Sequence, residues 1–305
     1  MGIPRGTARL LLDEARERPF SGSLLELGRM SVFVRRDELE GWGREQRTTL
    51  AQAGDLALSH QPELAALGCL DDRSFFRLLG CESVESADVS AWEGADHILD
   101  LNLPVPTELR GRFDTVFEAG TIQHIFDLPQ VFANLHAVLK KGGRVIHGMA
   151  PSTNHVDHGF YMFSPTLFHD FYSANGWRIE AEYFFEFFPF WFRGRLHSNR
   201  WKIRRYSPGV LDHLAYGGFG ARQVGLFVVA TKIAGSTADR IPQQSYFARF
   251  HEKTVTVSTF FRAPKTVGLR NVATVTVFPL QLLKQLKQRL LRLRPRRLPP
   301  VEKCY

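Results

Sequence analysis

Apolar and polar positions fall into their clearest pattern between Phe113 and Pro151. Phe113–Phe117 is a short apolar run, and Gly120 marks a tight turn behind it. Val131, Leu135, Val138 and Leu139 recur at helical spacing, with Lys140 and Lys141 in the expected last turn. Gly142–Gly143 is the predicted helix stop, where a positive φ is cheap only for glycine. Arg144–Met149 returns as a second strand. A strand, a crossover helix and a second strand form a right-handed parallel unit.

The same patterning extends toward the N-terminus. Thr7–Arg18 predicts an opening helix, and Ser23–Leu27 a short buried strand closed by Gly28. The stretch Val32–His60 is mostly polar and helical in flavour. Asp72–Leu79 predicts a helix with Asp71 or Asp72 as its cap and Gly80 as its stop. Val84–Val89 and His97–Leu99 read as further strands. Strands separated by helical or loop segments predict an α/β fold, a Rossmann-like doubly wound sheet. Ligands in such sheets lie beyond the carboxyl ends of the strands, here the loop Glu118–His124 and the segment after Met149.

Toward the C-terminus, Ser164–Pro165 opens a helix through about Ala174, with proline at the first helical position. Trp177–Phe188 and Val224–Ile233 read as strands. The expected organisation is an N-terminal helix over 1–22, a Rossmann-like domain over 23–235 with an insertion near 32–70, and an appendage over 236–305. Within the appendage, Val255–Phe261 and Asn271–Phe278 suggest a small hairpin. Pro279 then precedes a basic helix with leucines at 283, 286, 290 and 293.

Composition narrows the function classes. At 44% hydrophobic and 12% aromatic, the 305 residues can build a sizeable core. No run approaches the roughly 20 apolar residues a membrane span requires. Acidic residues soon follow the leucines at 10–12, which does not fit a secretory signal, and Gly6 stands where N-myristoylation wants Ser or Thr. Cys69, Cys81 and Cys304 show neither disulfide nor zinc spacing, so a cytoplasmic protein is expected. Residues 281–305 carry eight Lys and Arg against one Glu, a net of +7 out of the chain's +8. The charge is therefore a basic tail, and a nucleic-acid-binding domain is not supported. Segment 279–297 suits a solvated or protomer-packing helix, or peripheral contact with an anionic membrane at the inner surface.

Phe113-Asp114-Thr115-Val116, Thr121-Ile122-Gln123-His124-Ile125 and Val138-Leu139-Lys140-Lys141-Gly142-Gly143 together resemble the fourth and fifth motifs of class I S-adenosylmethionine (SAM)-dependent methyltransferases. The likeness spans about Ser23–Ile233 and is nearest a subgroup whose first motif is reduced to a strand ending Leu-Gly-Arg, matched by Glu26-Leu27-Gly28-Arg29. His158–Pro165 also looks like that subgroup. The resemblance implies S-adenosyl-L-methionine as cofactor, with Glu26 and Gly28 beside its amino-acid part. It likewise implies Asp88 on the ribose hydroxyls, Asp100 on the adenine amino group, and Glu118 and Gly120 along the methionine side. One departure is plain: the usual three-glycine loop is absent, and roughly 60 residues separate Gly28 from Asp88 where about 20 is typical.

Methyl transfer from a sulfonium is a direct displacement, so a protein contributes mainly alignment. A general base is required only when the acceptor must lose a proton, and His158 and His124 are the expected catalytic candidates, ahead of His155. The aromatic run Tyr183–Phe192 suits a buried strand, a wall over an apolar or planar acceptor, or an interfacial membrane contact. No metal is expected, because His155-x-x-His158 lacks further ligands at a suitable spacing. The acceptor is read as a small molecule or a glycan- or lipid-linked precursor. The rival is a non-catalytic methyltransferase-like binding or scaffold protein. A nucleotide-dependent oxidoreductase would want Gly-x-Gly-x-x-Gly after the first strand, and the chain lacks it.

Overall fold

The computed structural model describes residues 2–187, 201–214, 222–245 and 298–305. In chain order its elements are β1 (Gly2–Ile3), α1 (Arg5–Glu17), β2 (Ser23–Leu27), β3 (Ser31–Val32), α2 (Arg36–Gln46), α3 (Pro62–Ala66), α4 (Asp72–Leu79), β4 (Ser83–Asp88) and β5 (His97–Ile98). They continue with β6 (Phe113–Glu118), α5 (Leu128–Val138), β7 (Leu139–Thr153), α6 (Pro165–Ala174), β8 (Arg178–Phe187), β9 (Lys202–Arg205), β10 (Gln223–Thr231) and β11 (Lys303–Cys304).

One sheet of nine described strands organises the molecule, in the order β5-β4-β2-β6-β7-β10-β8-β9-β11. The five strands from β5 to β7 run parallel, while β10 lies antiparallel between β7 and β8. Side chains alternate across each strand, so two cores form. Leu24, Phe117, Ile146 and Phe227 meet α1 and α4 on one face. Leu25, Val116, Val145 and Leu226 meet α5 and α6 on the other. Successive strands diverge on either side of β2 and β6, with β4 beyond β2 and β7 beyond β6. That is the switch point at which a doubly wound sheet opens a crevice.

α1 is fixed to the sheet by polar bonds as well as leucines. Buried Arg144 donates to Glu14 Oε1 at 2.7 Å and to the Arg18 carbonyl at 2.8 Å, and lies over the Phe20 ring. Thr7 Oγ1 donates to the Gly148 carbonyl at 3.2 Å.

Several boundaries differ from the sequence expectation. α5 ends at Val138, because its last carbonyls are taken by Gly111 N–H and Arg112 N–H, and Lys140–Gly143 belongs to β7. Gly142, at φ +88°, bends that strand end where its N–H meets the Lys232 carbonyl. Of the polar stretch 32–60, only Arg36–Gln46 is helical. The last residues are part of the main sheet, for Lys303–Cys304 pairs with β9 and Lys303 and Tyr305 both bond the Asp13 carboxylate. The hairpin at 255–278, the basic helix at 279–297 and Phe188–Phe192 of the aromatic run lie outside the described residues, while Tyr183–Phe187 forms buried β8. Among the described residues no helix is long and apolar enough to cross a membrane.

α4 enters on the Asp71 side chain, which accepts from Ser74 N–H at 2.7 Å, and leaves through Gly80 at φ +118°. A Cβ on Gly80 would stand 2.6 Å from the Phe20 carbonyl oxygen. Gly80→Ala therefore combines backbone strain with a clash and should lower stability by about 1–3 kcal/mol. Urea unfolding monitored by circular dichroism checks this.

Candidate functional site

The carboxyl ends of β2, β4, β5, β6 and β7 converge on one rim, and the predicted site residues sit on it or directly beneath it. Gly28, at φ +80°, turns the chain out of β2, its N–H bonding the Ala87 carbonyl at 2.7 Å. Thr121 Oγ1 donates to the Leu27 carbonyl at 2.5 Å, tying the loop after β6 to the exit of β2. The N-terminal residues cross the same region. Gly2 and Ile3 pair with Ser31 and Val32, and Gly2 N–H reaches the Ala119 carbonyl at 3.4 Å.

Glu26 lies below Gly28 on the α1/α4 face, wholly buried, and neither of its oxygens accepts a hydrogen bond. Burial, and then the Asp72 carboxylate nearby, push its pKa well above the ordinary range. Two carboxyl groups can bond only if one is protonated, so Glu26 is the neutral acid and its O–H faces Asp72. Burial tends to raise Asp72 as well, but Arg29, with the bonds from Glu26 and Met30, outweighs it and holds Asp72 below the usual value. Arg29 grips Asp72 through Nε at 2.6 Å and Nη2 at 2.8 Å, a bidentate pair with only 10% of the Arg29 side chain exposed. Met30 N–H adds a third donor to the same carboxylate at 3.1 Å. Arg29 Nη1 stands 3.4 Å from the Glu93 and Gly94 carbonyls. Where a three-glycine loop would leave open backbone, this chain places a guanidinium.

Asp88 and Asp100 are brought together at the ends of neighbouring parallel strands. Asp88 is the register partner of Ile98, and its carbonyl accepts Leu99 N–H at 2.7 Å. Each carboxylate also closes a local turn. Asp88 accepts Ser90 N–H at 3.0 Å, and Asp100 accepts Asn102 N–H at 2.9 Å and its side-chain amide at 2.8 Å. Those Asn102 bonds hold the Asp100 pKa below the ordinary carboxylate range. Both keep acceptor capacity, since a carboxylate offers about four lone-pair sites.

Glu118 and Gly120 part company. Gly120 is in the mouth at φ +90°. Glu118 lies beneath it, wholly buried on the α5/α6 face, because strand alternation turns the last residue of β6 inward. Its Oε2 accepts Gly120 and Thr121 N–H at 3.2 Å each, and its Oε1 meets His147 Nδ1 at 2.8 Å. His147 Nε2 meets the Tyr172 hydroxyl at 2.6 Å. Glu118 therefore supports the loop rather than lining it. Sequence inspection misses His147 and Tyr172, because nothing before strand pairing says that Glu118 and His147 are register partners.

His124 and His158 come together as edge-on rings with centroids 5.5 Å apart, and His155 stands 6.1 Å from His158. Burial, then His158, lowers the His124 pKa. The same two causes take His155 down to about 4. Both imidazoles are neutral near pH 7, the form that accepts a proton. The buried Gln123 side-chain Oε1 is unpartnered beside them, while the Gln123 carbonyl accepts Phe160 N–H at 2.8 Å. Around the rim stand exposed Val89, Trp92, Leu103, Phe126 and Phe160, with Trp92 91% exposed. Among the described residues no group of three or more His, Cys, Asp or Glu could hold a metal ion.

No family model matches the chain, and no curated protein does. Solved structures do. A SAM-dependent methyltransferase of Thermotoga maritima, named a possible histamine N-methyltransferase, is 14% identical over 74% of this chain and 90% of its own, with a TM-score of 0.33. A Burkholderia thailandensis 1,6-didemethyltoxoflavin-N1-methyltransferase bound to S-adenosylhomocysteine is 13% identical over 74% of this chain and 76% of its own, at 0.30. A Haemonchus contortus phosphoethanolamine N-methyltransferase is 13% identical over 76% of this chain and 54% of its own, at 0.38. At such scores the chemistry has to come from the chain's own residues.

The Glu26 acid fixes a pH dependence. Its folded pKa is raised, so its contribution to stability is complete below the unfolded value near 4.5 and declines as pH rises above it. Glu26→Gln removes the ionisable group, so its melting temperature should exceed wild type at pH 8 and show no such gain at pH 4. Differential scanning calorimetry at the two pH values checks this, and an equal effect at both contradicts a buried neutral acid.

Proposed function

We propose that this chain is a SAM-dependent methyltransferase acting on a small-molecule acceptor, with the adenosyl group laid across the ends of β2, β4, β5 and β6. The observation that carries this is that Asp88 ends β4 and Asp100 lies two residues past the end of its parallel neighbour β5, with Gly28 bonded to Ala87 at the adjoining exit of β2, on the crevice side of a doubly wound sheet. Asp88 would take the ribose hydroxyls and Asp100 the adenine amino group. The exposed Val89 and Trp92 supply apolar cover on the Asp88 side, suited to a planar base. Glu26 would face the amino-acid end, and backbone at Gly28 and Gly120 permits close approach. The residues thus fit an adenosyl ligand at its nucleoside end, and at its amino-acid end through an acid with no donor of its own.

Bound SAM supplies an electrophilic methyl group on a sulfonium. The chain's residues orient the acceptor against it and exclude water. His158 and His124 stand at the mouth between the loops after β6 and β7, where a neutral imidazole Nε2 or Nδ1 can take the proton an acceptor N–H or O–H gives up. Exposed Phe126 and Phe160 pair edge-on at 5.5 Å beside them, which favours an acceptor with an apolar or planar part. The glycan- or lipid-linked acceptor and membrane contact through 279–297 have the basic charge of that segment as their support. One observation favours the rival, a binding or scaffold protein without turnover: Arg29 and the Thr121–Leu27 bond fill space that the glycine loop of a catalytic relative leaves to the ligand.

Titration calorimetry with S-adenosylhomocysteine tests the proposal. Micromolar binding is expected, weakened about tenfold or more by Asp88→Ala and by Asp100→Ala, since a hydrogen bond to a charged group contributes about 1.5–3 kcal/mol. No heat at millimolar ligand removes the cofactor assignment. Binding should also release protons, because a ligand ammonium beside Glu26 favours its ionised form. The apparent enthalpy should then vary with the ionisation enthalpy of the buffer, and this variation should shrink in Glu26→Gln.

A further inference from the structure

Proton transfer at the mouth leaves unused a buried polar row, Tyr172–His147–Glu118. It runs across three elements, from α6 through β7 to the end of β6. His147 and Glu118 are wholly buried, Tyr172 is 1% exposed, and the His147 ring is packed against Phe168 at 4.6 Å. A carboxylate that already accepts two backbone N–H groups is an acceptor, so His147 Nδ1 carries the proton toward Glu118. In the neutral ring Nε2 is then the acceptor, and the Tyr172 O–H donates to it at 2.6 Å. Each member has one role, and the row ends at the N–H groups of Gly120 and Thr121.

We propose that Tyr172 and His147 are positioning residues that hold the Gly120–Thr121 turn, and through it the methionine side of the cofactor site, in binding geometry. The mechanical path is short. Glu118 fixes the two N–H groups, and Thr121 Oγ1 in turn clamps the Leu27 carbonyl at the exit of β2. Burial and the Glu118 charge raise the Tyr172 pKa, keeping its hydroxyl protonated and donating throughout the working pH range. Ordinary packing would be served as well by phenylalanine at 172, which is the basis of the test. The role in ligand binding rests on the cofactor assignment; the hold on the turn does not.

The test uses the full chain and three variants, Tyr172→Phe, His147→Asn and His147→Leu. Asparagine keeps an N–H donor near the Nδ1 position, whereas leucine removes it. Amide hydrogen exchange is read over 118–124, with calorimetry against S-adenosylhomocysteine and against adenosine. Tyr172→Phe should speed exchange selectively in 118–124 and weaken S-adenosylhomocysteine about tenfold while leaving adenosine unchanged. His147→Asn should keep slower exchange in that segment than His147→Leu. Exchange that stays at the wild-type rate in Tyr172→Phe, or rises evenly over the whole sheet, overturns the proposal, as does equal weakening of both ligands. If wild-type protein binds no S-adenosylhomocysteine, the cofactor assignment fails alone, and exchange in 118–124 still decides whether the row holds the turn.

Discussion

Two glutamates buried side by side, on opposite faces of adjacent parallel strands, are the constraint around which the rim is built. The register pairs Glu26 with Phe117, so Glu26 shares Phe117's face and Glu118, one residue on, takes the other. A buried carboxylate must be neutralised or furnished with donors, because isolated charge in the interior is prohibitively costly. The chain uses both remedies. Glu118 is given an imidazole N–H and two backbone N–H groups. Glu26 is given none and keeps its proton. One strand exit is therefore rigid and saturated, while its neighbour holds an acid whose charge depends on what approaches it.

The exit of β2 is held by a charge pair. Arg29 directs its guanidinium at Asp72, the first residue of α4, where an acidic side chain also favours the helix N-terminus. The long excursion between β2 and α4 is closed at its base, with Leu70 N–H on the Val34 carbonyl at 3.0 Å and an antiparallel bridge from Arg35 to Cys69. Its ends meet, so α4 begins where a short loop would have delivered it. Loop-closure entropy grows only with the logarithm of length, and an insertion whose ends already touch adds little strain to the sheet.

The parallel core was legible in the sequence because its signals are local. Asp71 and Gly80 bracket α4, and Pro165 opens α6, at the positions that cap and turn chemistry predict. Gly142–Gly143 misled for a physical reason. The α5 end is capped from Gly111 and Arg112, which are distant in sequence, so the glycine serves a strand bend instead of a helix stop. β9 and β11, at the far edge of the sheet, were not anticipated, since Lys202–Arg205 is charged and finds its strand only by pairing with β8. Asp88, Asp100, His124 and His158 follow from the family resemblance, and the fold sets the first two at neighbouring strand ends and the two imidazoles against each other. Arg29–Asp72 and His147–Tyr172 were not legible, because each depends on which residues a folded sheet sets opposite one another.

A rim of aromatic side chains over ionisable groups imposes its own logic on a ligand. Trp92, Phe126 and Phe160 stand exposed, at a cost in hydration that an occupied mouth relieves. Beneath them, neutral His124 and His155 and the protonated Glu26 present little fixed charge, while Asp88 and Asp100 present two negative ends on one side. A ligand with hydroxyl or amino donors at one end, a planar surface, and positive charge at the other matches that distribution better than an anion does.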